Sequence, residues 1–275
     1  MKAELLISTC NDRISGLLNL VKKAAQEKTI GVLIVHQVFD DKINQDYQSI
    51  YSKIQGLSEN VRIIKMNKKG LSVSRNEALK NSIGKYLLIC DDDVDISISG
   101  ILSVCDEFEE NPDLDIIFTQ VLTPEGEYFK KYKDVKNENL YTLAGISSIE
   151  ICLKRESFIR SKLQYDERFG LGAEYPSCEE FILLTDAYKS GLSMKRTTIN
   201  VMTHPKESSG KQLTNDAILR AKGAAFCRVY GMKKGFLITI IFFIKKIIDG
   251  GFSGRSKTHF LRKILSGTRD IRHDF

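Results

Sequence analysis

The chain has 275 residues, of which 42% are hydrophobic and 28% charged, with four prolines and a formal net charge of +6. This composition is ordinary for a globular protein of one or two domains and argues against long disordered linkers. Six cysteines are scattered without a CxxC pair, which argues against a zinc site of the usual spacing and favours reduced, buried thiols in the cytoplasm.

The first half of the chain alternates between short apolar runs and amphipathic stretches. Its N-terminal apolar stretch is too short for a signal peptide. The strands are apolar throughout, which is typical of a parallel sheet covered by helices on both faces. We therefore expect an α/β fold with a Rossmann-like, mostly parallel sheet flanked by helices. The predicted strands are 3–9, 30–35, 61–65, 86–90 and 114–120, and the predicted helices are 14–26, 72–81 and 98–110.

Three consecutive carboxylates, Asp91, Asp92 and Asp93, follow the predicted strand 86–90. Like charges held side by side disfavour full ionisation unless a cation or a hydrogen-bond donor intervenes. Taken alone, such a run is more often a solvated turn. However, ligands bind outside the carboxyl ends of the strands in this kind of sheet. The position therefore favours a site for a hard divalent cation, which takes oxygen ligands.

The region after residue 165 combines a loop pattern with a helix start. Glycines and a proline between 165 and 178 predict a mobile loop. Ser177 can cap the helix that follows, and Glu179 and Glu180 suit its first turn. Their structural role as first-turn acids competes with a catalytic one. The last predicted strand ends just before His204.

Positive charge is concentrated in residues 206–275, which hold 15 Lys and Arg against 5 Asp and Glu. This segment contains a nine-residue stretch, 236–244, which is apolar except for Thr239 and is too short to cross a membrane. Two interpretations stay open: a buried helix that covers the sheet or joins two copies, and an interfacial helix on a membrane surface. The basic surface suits anionic lipid, acidic glycan or lipid-linked phosphate. We expect no nucleic-acid partner because no recognisable module is present.

Three segments together resemble the family 2 glycosyltransferases of the GT-A fold. They read LLISTCND, RIIKMNKKGLSVSRNEALKNSIGKYLLICDDDVD and FGLGAEYPSCEEFILLTDA. The resemblance covers residues 3–205 and is most specific over 61–95, where several motifs follow one another. It implies a GT-A glycosyltransferase domain over 1–205, followed by a helical basic C-terminal segment over 206–275.

The resemblance also implies roles for residues that match the motifs of the family. Asp93, with Asp91 directly or through water, would hold Mg²⁺ or Mn²⁺ against the donor diphosphate. His204 is either a further metal ligand or an ordinary surface or core histidine. The residues implied in donor binding are Thr9, Asn11, Lys69, Gly70, Arg75, Asp91 and Asp92.

Two positions depart from the usual pattern of the family. Glu179 and Glu180 match a Glu-Asp pair whose second member is the usual catalytic base. Because Glu180 replaces the aspartate, the assignment between the two glutamates stays open. The second strand usually ends in an aspartate that contacts the nucleotide base, whereas His36 and Gln37 stand here. Either side chain can hydrogen-bond a base.

The resemblance implies a metal-dependent, inverting glycosyltransferase. It would move a sugar from a nucleoside-diphosphate sugar, with a UDP-sugar expected, to a glycan or lipid-linked acceptor in surface polysaccharide synthesis. The alternatives are a nucleotidyltransferase and a non-catalytic partner subunit that has kept the fold. We expect a cytoplasmic protein, with the inner face of the cell membrane as a further place of contact.

Overall fold

The computed structural model describes residues 1–39, 42, 44–133, 135, 137–206, 215–249 and 256–271. Parts of the basic segment 206–275 lie outside these residues. The described strands form an eight-stranded mixed sheet. They are β1 (Ala3–Cys10), β2 (Ile30–Gln37), β3 (Val61–Met66), β4 (Tyr86–Cys90), β5 (Asp95–Ile96), β6 (Ile116–Leu122), β7 (Ile151–Lys154) and β8 (Met194–Thr203).

Helices connect most of the strands and cover both faces of the sheet. In chain order they are α1 (Leu18–Ala24), α2 (Gln48–Gln55), α3 (Leu71–Asn81), α4 (Ile98–Glu110), α5 (Leu140–Leu143), α6 (Arg155–Arg160), α7 (Glu179–Lys189), α8 (Asp216–Tyr230), α9 (Met232–Ile248) and α10 (Lys257–Asp270).

The strand order is β3-β2-β1-β4-β7-β6-β8-β5. Strands β1 to β4 are parallel to one another, whereas β7 lies antiparallel between β4 and β6. The expected α/β class with a Rossmann-like half is therefore confirmed, and the second half of the sheet is mixed. Because β1, β2 and β4 are parallel, the residues that follow them meet at one edge.

Alternate residues of the apolar strands supply two separate cores. Leu5 and Ile7 of β1 belong to a core that includes residues of α1, α2 and α4. Leu6, between them, belongs to a core with residues of α3, α7 and α8. Burial on both faces explains why these strands read as continuous apolar runs.

Some boundaries differ from the sequence prediction. The predicted helix 14–26 begins as a 3-10 turn over Asn11–Leu17 and becomes α-helical only at Leu18. Asn11 has a φ of +45°, and Ser15 and Gly16 are poor helix formers. Helix α2 was not predicted because it is largely polar and buries only Ile54.

The C-terminal helices pack on the α/β core and on one another. Residues of α8 belong to the same core as β1 and α7. At the crossing of α8 and α10, a Cβ on Gly223 would collide with the Ile264 carbonyl, so the two backbones approach closely. Among the residues that the structure describes, none of the helices combines the length and apolar character that crossing a bilayer requires.

Candidate active site

A cleft of about 940 Å³ opens at the carboxyl ends of β1, β2 and β4. We call it the strand-end cleft. It brings together Thr9, Lys69, Gly70 and His204, which the sequence had singled out, with all three aspartates. The lining residues are Ser8, Thr9, Cys10, Arg13, Gln37, Phe39, Lys69, Gly70, Leu71, Asp91, Asp92, Asp93, Leu171, Gly172, His204 and Lys206.

Asp92 ties the end of β4 to the end of β1. Its Oδ2 accepts hydrogen bonds from Thr9 Oγ1 at 2.6 Å and from Arg13 Nε at 2.8 Å. Arg13 Nη2 also donates to Asp92 Oδ1, and the Asp92 side chain is only 8% exposed. The carboxylate of Asp92 therefore holds Thr9 and Arg13 at the wall of the cleft.

Asp93 extends into the cleft and is the most exposed of the three acids. Its Oδ1 lies 3.3 Å from His204 Nε2, and its Oδ2 lies 3.3 Å from Arg13 Nη2. A carboxylate oxygen and an imidazole nitrogen at this separation can bind the same divalent cation. Within the described ranges, no group of three or more His, Cys, Asp or Glu side chains is arranged as a metal site. Mg²⁺ does not require such a group, because it often uses one or two carboxylates and completes its shell with substrate phosphates and water.

The basic turn 67–70, which precedes α3, lines the cleft through Lys69 and Gly70. The ammonium group of Lys69 lies over the ring of Phe39, 5.4 Å from its centroid. Gly70 has a φ of +129°, a conformation that L side chains rarely adopt, and it directly precedes α3. Lys69 thus supplies a positive charge at the cleft, and Gly70 allows the turn that places it there.

The side chains of Asn11 and His36 do not line the cleft. His36 is fully buried; its Nδ1 lies 2.6 Å from Tyr51 Oη and its Nε2 lies 2.9 Å from the carbonyl of Asn11. Burial lowers the pKa of His36. Asn11 Oδ1 accepts a hydrogen bond from the amide of Phe39. The expectation that His36 could contact a nucleotide base is therefore wrong, because both of its nitrogens face protein groups that fix the loop after β1.

Gln37, by contrast, does line the cleft. Its amide nitrogen donates to the carbonyls of Lys68 and Gly70, at 2.6 and 3.0 Å. Both amide hydrogens of Gln37 are therefore donated to the basic turn. What remains for a ligand is its amide oxygen.

Arg75 lies beneath the cleft and joins its acids to those of α7. Its side chain is 3% exposed. Nη2 donates to Asp91 Oδ1 at 3.0 Å, and Nη1 lies 3.3 Å from Glu179 Oε1 and 3.5 Å from Glu180 Oε1. Burial opposes its charge, but Tyr165 and these carboxylates keep the pKa of Arg75 above its usual value. Arg75 was expected near the base and phosphates of the donor, whereas it does not line the strand-end cleft.

Burial at the floor of the cleft raises the pKa of Asp91, against the attraction of Arg75. About a third of the Asp91 side chain remains exposed (34%), so it can still meet a ligand. Asp91 is therefore the carboxylate of the triplet that faces both Arg75 and the open cleft.

Glu179 and Glu180 begin α7, as the sequence predicted. Ser177 does not cap this helix; the preceding residue is Cys178, with a φ of +77° and no side-chain cap. Burial, and then the charge of Glu180, raise the pKa of Glu179 to about 8. The side chain of Glu179 is 6% exposed and that of Glu180 is 19% exposed. Glu180 is thus the more accessible of the two carboxylates.

The loop before α7, predicted to be mobile, is held by buried contacts. Phe169 and Tyr175 are buried and stack with their ring centroids 4.8 Å apart. Ser72 Oγ donates to the Phe169 carbonyl at 2.5 Å, and the amide of Leu71 donates to the Leu171 carbonyl at 2.9 Å. These bonds attach the loop to the start of α3.

A second space of about 620 Å³ lies beside the cleft, among α5, α7, α8 and α9. We call it the helix-side cavity. Glu179 and Glu180 line it, with apolar residues that include Phe129, Phe226 and Phe242. The strand-end cleft and the helix-side cavity share four lining residues: Leu71, Asp91, Leu171 and His204. The two spaces therefore meet beside Asp91 and His204.

Sequence reasoning missed several residues of the cleft, among them Arg13 and Phe39. Arg13 lies three residues beyond β1, and Phe39 lies two residues beyond β2. The sequence indicates a site role for these two residues only by their position, since both follow the carboxyl ends of parallel strands.

An open cleft at the carboxyl ends of parallel strands is where α/β enzymes of this kind bind their ligands. The model of glycosyl transferase family 2 matches residues 5–168. Because this match spans more than half of the chain, the chain belongs to that family and is a glycosyltransferase. The matched residues include Asp91–Asp93 and end before Glu179.

Solved structures of a Staphylococcus aureus protein, TarS, share the fold. The structure of TarS residues 1–349 has 14% sequence identity and a TM-score of 0.62, covering 98% of this chain and 83% of that one. The same TarS fragment in complex with UDP-GlcNAc has 15% identity and a TM-score of 0.65, covering 98% and 80%. Another TarS structure contains UDP, with 16% identity and a TM-score of 0.61 over 98% and 83%. Among curated protein sequences, none matches this chain closely enough to count as a relative.

Proposed function

We propose that this glycosyltransferase transfers a sugar from a UDP-sugar, with inversion at the anomeric carbon, to a glycan or lipid-linked acceptor of surface polysaccharide synthesis. The observation that carries the proposal is the meeting of the two spaces beside Asp91 and His204. A donor in one space and an acceptor in the other would present their reacting atoms to each other at that point. Proximity of this kind is a large part of catalysis.

The strand-end cleft suits the donor. Arg13, Lys69 and Lys206 line it with positive charge, which complements a diphosphate. Gln37 and Phe39 also line this cleft. The amide oxygen of Gln37 and the ring of Phe39 are suited to binding the nucleotide base. The UDP and UDP-GlcNAc complexes of TarS support a UDP-sugar as donor.

We propose Mg²⁺ or Mn²⁺ as the cofactor, with Asp93 as its main ligand and His204 as a second. When bound, such a cation neutralises the charge that develops on the leaving diphosphate. Asp92 fixes Arg13 in place, and Arg13 reaches Asp93 from the other side. Arg13 is thus placed to compensate negative charge on Asp93 and on the phosphates together.

Glu180 is proposed as the general base. It lines the helix-side cavity, and it is more accessible than Glu179. Glu179, whose pKa is raised to about 8, carries a proton in most molecules at neutral pH, so only a minor fraction of it can accept one there. Glu180 would take the proton from the acceptor hydroxyl as that oxygen attacks the face of the anomeric carbon opposite the diphosphate. A single displacement of this kind inverts the configuration.

Incubation with a panel of nucleotide sugars and Mn²⁺ tests this function. We expect UDP release from a UDP-sugar, slow without acceptor, and its loss in Asp91→Asn but not in Asp95→Asn. Asp95 is a matched control because it is exposed, pairs with Lys23 and does not line the cleft. Pyrophosphate release from a nucleoside triphosphate would overturn the proposal in favour of nucleotidyl transfer. Absence of both turnover and UDP binding would overturn it in favour of a non-catalytic subunit.

A further inference from the structure

Helix α9 exposes large apolar side chains along its outer face. Thirteen large hydrophobic side chains are exposed among the described residues, and six of them belong to this helix. A surface helix normally directs polar residues outward. The six are Phe236 (49% exposed), Leu237 (58%), Ile241 (51%), Ile244 (48%), Ile247 (37%) and Ile248 (79%).

The inner face of α9 is already used by the fold. Phe242 contacts Phe226 and Phe260, with ring centroids 5.6 and 6.5 Å apart. Gly235 is buried, and a Cβ there would collide with the backbone at Cys227 of α8. The helix is therefore held in place while Leu237, Ile241, Ile244 and Ile248 recur on its outer face at helical spacing.

Basic residues lie at both ends of this helix. Lys233 and Lys234 lie in the first turn, and Lys245 and Lys246 lie in the last. The whole segment 206–275 holds 15 Lys and Arg against 5 Asp and Glu. A second copy of the chain docked through a two-fold axis would bring the lysines of the two helices together. An anionic lipid surface would instead attract each of them.

We propose that α9 docks on an anionic lipid bilayer, lying in the interface with its apolar outer face among the lipid headgroups and its lysines on lipid phosphates. Interfacial helices bind through apolar area and attraction to anionic lipid together. At 17 residues, α9 lies on the surface and does not span it.

The docking also bears on the class of acceptor, and this step rests on the proposed function. Helix α9 also lines the helix-side cavity through Ile238, Ile241, Phe242, Lys245 and Lys246. A bilayer against α9 would therefore lie next to the proposed acceptor space. Of the two acceptor classes considered, this favours the lipid-linked one.

Vesicle flotation tests the docking directly. The full chain should float with vesicles of phosphatidylcholine and phosphatidylglycerol. The floated fraction should be lower by about tenfold or more with phosphatidylcholine alone or at high salt. The triple variant Leu237→Glu, Ile244→Glu, Ile248→Glu should lose flotation by about tenfold or more. None of these three residues lines the cleft or the cavity. The double variant Lys233→Gln, Lys234→Gln should show a floated fraction about tenfold lower with anionic vesicles.

A matched triple variant controls for added charge and for folding. Ile83→Glu, Ile159→Glu and Tyr188→Glu change three comparably exposed apolar residues outside α9, and this variant should float like the wild type. Equal loss in both triples, or no flotation of the wild type, would overturn the proposal. So would a wild-type dimer that the α9 variant converts to monomers without any lipid binding.

UDP release without vesicles separates the two proposals. Flotation without UDP release would reject the glycosyl-transfer function and keep the docking. UDP release without flotation would reject the docking alone.

Discussion

The Oδ1 atom of Asp93 lies 3.3 Å from Nε2 of His204. Asp93 lies between β4 and β5, and His204 follows β8, which pairs with β5. Sequence reasoning left open whether His204 was a ligand or an ordinary histidine. Its contact with the most exposed aspartate of the cleft gives the ligand role a geometric basis.

Asp93→Ala should abolish metal-dependent donor turnover, lowering it by about 10² or more because the diphosphate loses its counter-charge. His204→Ala should keep turnover but raise the Mn²⁺ concentration for half-maximal activity by about tenfold. A Mn²⁺ titration of UDP release measures both, with Asp95→Ala as the control. A His204→Ala titration that superimposes on the wild type would remove His204 from the ligand set.

Glu180→Gln should lower kcat by about 10²–10⁴ while leaving the affinity for UDP unchanged, because only proton removal from the acceptor is lost. Glu179→Gln should lower kcat at pH 7 by less than about tenfold, because Glu179 is largely protonated there. Steady-state kinetics with a competent acceptor, together with UDP titrations, distinguish the two variants. A larger loss in Glu179→Gln would transfer the role of base to that residue.

Glu179 should make the protein less stable as pH rises from about 4.5 to 8. Glu179 has its pKa raised to about 8 in the folded chain, against an ordinary value of 4.5. Between these values the folded state holds a proton that the unfolded state has released, so raising the pH favours unfolding. Glu179→Gln should remove this part of the pH dependence, which thermal unfolding across the pH range measures. An unchanged slope would show that Glu179 titrates normally.

The strands and the position of the acids could be predicted because they depend on local pattern. The apolar runs that end at Thr9 and Cys90 identify parallel strands. The carboxyl ends of such strands lie at the same edge of the sheet, whatever the connections between them. Asp91–Asp93 were found for this reason.

Contacts that depend on distant elements could not be predicted. His36 is enclosed by Tyr47 and Tyr51, which belong to the region of α2, a short and largely polar helix that was not predicted. The loop before α7 has the glycines of a mobile segment, yet Phe169 and Tyr175 are buried in the core. Arg75 contacts Glu179 across 104 positions of the chain, and no local pattern records such a contact.

Arg75→Met should destabilise the fold by about 3–5 kcal/mol, because it leaves the carboxylates of Asp91 and Glu180 without their cation. Arg160→Met provides the control: Arg160 is 67% exposed, and surface ion pairs contribute about 0–1 kcal/mol. Urea unfolding of both variants measures the difference. If Arg75→Met lowered the free energy of unfolding no more than Arg160→Met does, the carboxylates around Arg75 would be neutral in the folded chain.

His36→Phe should weaken UDP binding and lower stability without changing the preference among nucleotide bases. The ring of His36 holds the Asn11 carbonyl and Tyr51, so its loss loosens the loop after β1 that carries Arg13. Gln37→Leu should instead change base preference, because Gln37 lines the cleft itself. Titration of both variants with UDP, CDP and GDP measures the ratio of affinities. A changed ratio in His36→Phe, with an unchanged ratio in Gln37→Leu, would return base recognition to His36.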